Sequence, residues 1–192
     1  MKGKRILPVM ATFAFGLILG TGIVLANHPW ICSGSTAYHF GSRTVRYAAP
    51  VEENAAGDIS RTQAYLNAFS GSVSLWNGTV INLAQGGTIR LRLFYDRYGR
   101  NGWLGLASLG GISNCVIGNA SSRLNDSYLQ DTARYSQTAI NHVACQEVGH
   151  TFGLNHNRTS STTCMNDTIL TAGNQINQHD QDLLNQIYAN IP

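Results

Sequence analysis

Gln146, Glu147, His150 and His156 lie close together in the chain, with Gly153 between the last two, and these residue types can hold and use a metal ion. On an α-helix, side chains four residues apart share a face, with Cβ atoms about 5–6 Å apart, so positions 146 and 150 can reach one ion. Glu147, one residue on, then sits beside that ion near a bound water. Gly153 lets the chain leave the helix in a conformation that a side-chain-bearing residue resists, and the turn brings His156 round as a third ligand. Zinc held by three protein ligands, with one position open, makes a nucleophile of water at neutral pH. A neighbouring carboxylate can take the proton from that water and pass it to a leaving amine. The pattern H-E-x-x-H-x-x-G-x-x-H follows this logic, and the chain matches it at Glu147, His150, Gly153 and His156.

The chain departs from the pattern at Gln146, where the first histidine belongs. An amide oxygen has lone pairs to offer, but it is a harder and weaker zinc donor than imidazole. His142 lies on the same helix face one turn earlier, yet it stands about 12 Å along the axis from His150 at 1.5 Å per residue, too far for one ion. His179 is unconstrained by spacing and is an alternative ligand.

The elements that must position these residues are readable from periodicity. A helix is expected over residues 136–151, carrying the cluster. Another is expected over 59–76, opened by Ser60-Arg-Thr-Gln63 as a capping box, with Tyr65, Leu66, Phe69, Val73 and Trp76 on one face and Gly71 as a weak point. A third runs over 177–189, capped by Asn177 with Asp180 three residues on, burying Leu183, Leu184, Ile187 and Tyr188. Strict alternation marks residues 88–94 as a half-buried strand. Residues 38–40, 44–47, 101–107, 115–120 and 121–125 read as shorter strand or rim segments. One helix, several strands, the cluster-bearing helix, a loop and a closing helix describe an α+β domain.

Residues 1–26 read as an export signal: Lys2, Lys4 and Arg5 precede a run that is almost wholly apolar, and Val24-Leu25-Ala26 offers small residues for cleavage before Asn27. The same stretch is long enough to span a bilayer as an uncleaved anchor. Residues 27–192 then form a single domain. The formal net charge of +3 belongs to Lys2, Lys4 and Arg5, so the remaining chain balances its Arg residues against its acids and contains no Lys. That balance argues against nucleic acid or an anionic membrane as partner. Cys32, Cys115, Cys145 and Cys164 are an even number in an exported chain, which points to disulfides. Three pairings exist on paper. Cys145 with Cys164, and Cys32 with Cys115, is favoured because the first pair brackets the cluster and ties its helix to the segment around Met165.

The stretch from Gln146 to His156 resembles the active-site segment of metzincin metalloproteases, and within that clan the matrixin-like branch. Cys164-Met165-Asn166 resembles the Met-turn that lies beneath the metal in the clan. Asn101-Gly-Trp-Leu-Gly-Leu-Ala107, Leu124-Asn-Asp-Ser-Tyr128, Val143-Ala-Cys-Gln-Glu-Val-Gly-His150 and Asn177-Gln-His-Asp180 are similar to segments of secreted bacterial matrixin-like proteins, among which the Cys-Gln-Glu spelling recurs. The resemblance covers most of residues 38–190 and is strongest in the last third.

What it implies is a metzincin-like fold: a twisted, mostly parallel five-stranded sheet, the metal helix beneath it, a peptide cleft along the edge strand, a Met-turn and a C-terminal helix. It further implies Zn2+ held by His150, His156 and Gln146, Glu147 as general base, and Met165 as the supporting residue. The specificity pocket of such enzymes lies between His156 and the last helix, where Ile169 and Leu170 could form an apolar floor. Some relatives bind structural Ca2+; Asp96, Asp126 and Asp131 are acids that such sites use, but no calcium-loop spacing accompanies them. The latency cysteine of the family has no counterpart other than Cys32, which is assigned to a disulfide. The expected function is a secreted, monomeric, zinc-dependent endopeptidase acting on protein or peptide substrates, with no membrane association once the signal is cut. The alternative is an inactive extracellular binding or structural domain on the same scaffold.

Overall fold

The computed structural model describes residues 29–168 and 174–192. The expected export signal and the pocket residues Ile169 and Leu170 lie outside the described residues. Among the described residues no helix is long and apolar enough to cross a membrane.

The chain opens with short strands β1 (Ile31–Ser33), β2 (Thr36–Ala37) and β3 (His39–Phe40), then β4 (Thr44–Tyr47) and β5 (Val51–Glu52). Helix α1 (Thr62–Trp76) follows, then β6 (Asn82–Gln85), β7 (Leu91–Asp96), β8 (Gly105–Gly110), β9 (Val116–Ile117) and β10 (Asn119–Asn125). Three helices complete it: α2 (Asp126–Leu129), α3 (Gln137–His150) and α4 (Gln178–Ile187).

The main sheet has the order β6-β4-β7-β10-β8, parallel except for the last pair, in which β8 runs antiparallel to β10. The mostly parallel sheet agrees with expectation, but it has six strands rather than five. β4 reaches β7 only at Tyr47↔Leu91, and β5 takes over farther along at Val51↔Phe94 and Glu52↔Tyr95. Period-two alternation turns Leu91, Leu93 and Tyr95 into the core. There they meet Tyr65, Phe69 and Trp76 of α1 and Ile140, Val143, Ala144 and Val148 of α3. Each large side chain so buried contributes roughly 1.5–3 kcal/mol. On the other face Arg123 grips both Glu53 carboxylate oxygens, at 2.8 and 2.7 Å, and holds that carboxyl below its usual range.

Several expected boundaries move. The capping box at Ser60–Gln63 does not form: α1 begins at Thr62 with Arg61 as N-cap and no side-chain cap. The Arg61 guanidinium instead donates to the Leu129 and Tyr135 carbonyls, a tertiary pull that local preference does not encode. Gly71 does not interrupt α1, because buried Phe69, Ser72 and Trp76 hold the helix on both sides of it. The strand expected at 88–94 starts at Leu91 and runs to Asp96. The one expected at 101–107 starts only at Gly105 and extends to Gly110, where pairing with β10 ends. β6 and α2 were not anticipated from the sequence. The helix carrying the cluster is α3, with Ser136 as N-cap accepting from Ala139 N–H. The capping box of Asn177 and Asp180 is present at α4.

Candidate metal centre

α3 presents Gln146, Glu147 and His150 in its last turns, all buried. After it, Gly153 adopts φ +89°, and a Cβ there would overlap the carbonyl oxygen of Tyr38. This close approach requires glycine. The reversal returns His156 to α3, with its ring centroid 4.7 Å from that of His150.

His150 Nδ1 lies 2.9 Å from the Leu154 carbonyl. A carbonyl only accepts, so Nδ1 carries the proton and Nε2 keeps its lone pair. Burial lowers the His150 pKa to about 3, with His156 adding to the effect, so the imidazole is neutral at neutral pH. Burial also lowers His156, assisted by Arg158 and opposed by Asp167. Neutral imidazoles are the form that ligates a metal.

Glu147 sits between α3 and the sheet. Burial raises its carboxyl to about 8, against a backbone hydrogen bond from Ala107 that lowers it. A Cβ on Gly105 would lie 2.5 Å from Glu147 Cγ and 2.8 Å from its Oε1. Bare backbone at Gly105 is what lets the carboxylate reach β8. Among the described residues β8 pairs only with β10, leaving its outer edge open.

The segment around Met165, the expected Met-turn, packs against this helix. Met165 is fully buried, and a Cβ on Gly149 would come within 2.5 Å of both its Sδ and Trp76 Cζ2. The Trp76 indole donates to the Cys145 carbonyl at 3.0 Å. The Met165 carbonyl accepts from Asn157 N–H at 2.8 Å, which pairs the turn with the segment after His156. Asp180 of α4 accepts from Thr163 Oγ1 and from Asn157 Nδ2, so the carboxylate that caps α4 also anchors the Met-turn.

The disulfides are Cys32–Cys115 and Cys145–Cys164, the pairing favoured from the sequence. The second joins α3 to the Met-turn across a sequence separation of 19. Replacing both of its cysteines by Ala is expected to destabilise the protein by about 3 kcal/mol, as read from urea unfolding. Equal midpoints for variant and wild type would show that the bond contributes nothing.

His142 is fully buried and bonds Asn166 O through Nε2 at 2.7 Å. His179 is half-buried in α4. Neither completes a ligand set, because no group of three His, Cys, Asp or Glu side chains that could hold a metal occurs among the described residues. Among the described residues His150 and His156 are the imidazoles that come together, and Gln146, one turn before His150 on α3, is the expected third donor; imidazole nitrogens and an amide oxygen are donors that zinc accepts. The candidate calcium acids are otherwise engaged: Asp96 accepts from Asn54 and Arg97 backbone N–H, Asp126 from Tyr65 and Arg97, and Asp131 from Ala133 and Arg134 N–H.

Sequence reasoning missed the parts played by Gly105, Gly149 and Trp30, and it read Asp180 as a helix cap without its bond to Thr163. Glycine inside a helix costs about 1 kcal/mol relative to Ala, so Gly149 was a usable sign of close packing. Trp30 gave no such sign. Its N–H donates to Gly153 O at 2.7 Å, and its ring meets that of His150 edge-on at 6.3 Å.

Residues 129–174 match the model of a family described as Met-zincin. A search of the curated proteins finds no match. The matched stretch contains α3, the Gly153 turn, His156 and the Met-turn, and it supports kinship of this part of the chain with zinc metallopeptidases of the metzincin clan.

Proposed function

We propose that the protein is a secreted, monomeric, zinc-dependent endopeptidase of the matrixin-like branch, acting on protein or peptide substrates. The observation that carries this reading is the convergence of two neutral imidazoles, His150 and His156, while Glu147 lies against an open sheet edge. His150 and His156 would hold the zinc through ring nitrogens, and Gln146 through Oε1. When bound, the zinc supplies a Lewis acid and a water acidified enough to attack at neutral pH.

Glu147 has the position and the basicity to take a proton from that water and return it to the leaving amine. Burial raises the proton affinity of this carboxyl in the metal-free protein, and a bound cation beside it would favour the ionised form that accepts the proton. An extended peptide added along β8 would satisfy that strand's outer N–H and C=O groups. Gly105 and Ala107 of the same strand touch Glu147, so a peptide in that register passes the general base.

That two imidazoles rather than three converge among the described residues favours a second reading, an extracellular binding domain that has kept the scaffold. Zinc content and casein cleavage of purified wild type and His156→Ala separate the two. The enzyme reading expects one equivalent of zinc in the wild type, in line with a single three-ligand site. It expects both zinc and cleavage to fall away in His156→Ala. Folded wild-type protein with neither zinc nor cleavage would leave the binding domain as the better account.

A further inference from the structure

Gln146 is anchored from outside its own helix, and the anchor decides which of its atoms is free. Its Nε2 donates to the Asn166 backbone carbonyl at 2.8 Å, and His142 Nε2 donates to the same oxygen at 2.7 Å. A carbonyl oxygen can only accept. An amide turned the other way would set two oxygens against each other with no proton between them, and would leave a buried donor unpaired. Gln146 therefore keeps its NH2 group on Asn166, and Oε1 is the atom left for another partner.

Asn166 is itself held in place. Its Nδ2 donates to the Asn157 and Ser160 carbonyls, both at 3.0 Å, and its Oδ1 accepts from Thr168 N–H at 2.8 Å. Asn166 directly follows Met165, so the positioning carbonyl belongs to the Met-turn. The Cys145–Cys164 bond fixes that turn against α3 one residue before Gln146 and two before Asn166.

We propose that the Asn166 carbonyl, with His142 as its second donor, is the positioning group that presents Gln146 Oε1 to the cation and makes the centre a two-nitrogen, one-oxygen site. The proposal rests on the reading that His150 and His156 hold a metal. It assigns a part to His142, which helix geometry excludes as a ligand: two N–H donors on one oxygen hold the carbonyl from two sides. An oxygen donor in place of the softer imidazole also shifts relative preference from Zn2+ toward harder cations such as Mn2+.

The test measures Zn2+ dissociation constants by competition with a chromophoric chelator, together with the visible spectrum of the Co2+ form. The proteins are wild type, Gln146→Glu, Gln146→His, His142→Phe and His156→Ala, with metal-free melting temperature as the folding control. A carboxylate free to orient is a better zinc donor than an amide. Here its second oxygen would face the Asn166 carbonyl with no proton to share, so Gln146→Glu is expected to bind Zn2+ about 10- to 100-fold more weakly than wild type, the range for losing an outer-shell partner. Gln146→His is expected to bind more tightly and to alter the Co2+ spectrum, since an imidazole can ligate through one nitrogen and donate to Asn166 from the other. His142→Phe is expected to weaken binding about 10-fold; should it fail to fold, Gln146→Glu decides alone. Zinc binding by Gln146→Glu at or above the wild-type level, with His156→Ala having lost zinc, overturns the positioning role and leaves the metal site standing. Wild type without zinc, or His156→Ala binding as wild type does, overturns the metal reading and this proposal with it.

Discussion

Glu147→Gln is expected to lower kcat/KM for peptide hydrolysis by about 100- to 10,000-fold, the contribution of a positioned general base. Zinc content should not change. The substitution keeps the side chain's shape, and an amide oxygen can still accept the Ala107 backbone hydrogen bond. In the proposed mechanism the group lost is the one that accepts and returns the proton, so the defect should appear in kcat more than in KM. A thousandfold loss corresponds to about 4 kcal/mol of transition-state stabilisation. Glu147→Gln with zinc bound and activity within threefold of wild type would remove Glu147 from the mechanism.

The same carboxyl has a consequence for the metal-free protein. Its pKa is raised from 4.5 to about 8 by burial, so between those values the folded state holds a proton that the unfolded chain has released. Stability from this group is complete below about 4.5 and is lost as the pH rises through 8. Glu147→Gln should flatten that slope in urea unfolding followed across this window.

Gly153→Ala is expected to be the most damaging change to the scaffold. At φ +89° a side chain is strained, and the added Cβ would overlap a backbone oxygen, that of Tyr38, which no rotamer change can move. Gly153 N–H also donates to His150 O, and Gly153 O accepts from Trp30 N–H, so relief of the clash shifts both contacts. A cost of at least about 3 kcal/mol is expected, from the strain and overpacking mechanisms that produce large mutational effects. For a domain of this size that lowers the melting temperature by about 6–12 °C. The Leu154 carbonyl, one residue on, orients His150, so zinc affinity should fall with stability. Metal-free and zinc-loaded melting curves measure both, and a variant within 1 °C of wild type would contradict the packing argument.

What the chain encodes locally was legible. α3 begins at the Ser136 cap and ends with His150, and α4 opens on the Asn177 and Asp180 capping box, because caps and 3.6-residue periodicity depend on neighbours in sequence. The grouping of Gln146, Glu147, His150 and His156 follows from the same local rules, as helix spacing fixes three of them and one glycine turn the fourth. Local rules failed where a distant group competes. Arg61, drawn to the Leu129 and Tyr135 carbonyls, replaced the capping box expected at Ser60.

Sequence alone thus determined the helix that carries Gln146, Glu147 and His150 and the glycine turn that brings His156 back to it. Tertiary structure decided how each is held. Gly105 admits Glu147 to the sheet edge because strand register sets it beneath α3, and Trp30 reaches His150 because the Pro29↔Leu154 bridge and the Cys32–Cys115 bond bring the two segments together. Asn166 fixes the orientation of Gln146 because the Met-turn is tied to α3 by a disulfide and to α4 through Asp180. Helical spacing is set within a few residues by backbone geometry. The partners that select a tautomer or an amide orientation are brought in by burial across long sequence separations, where no local pattern records them.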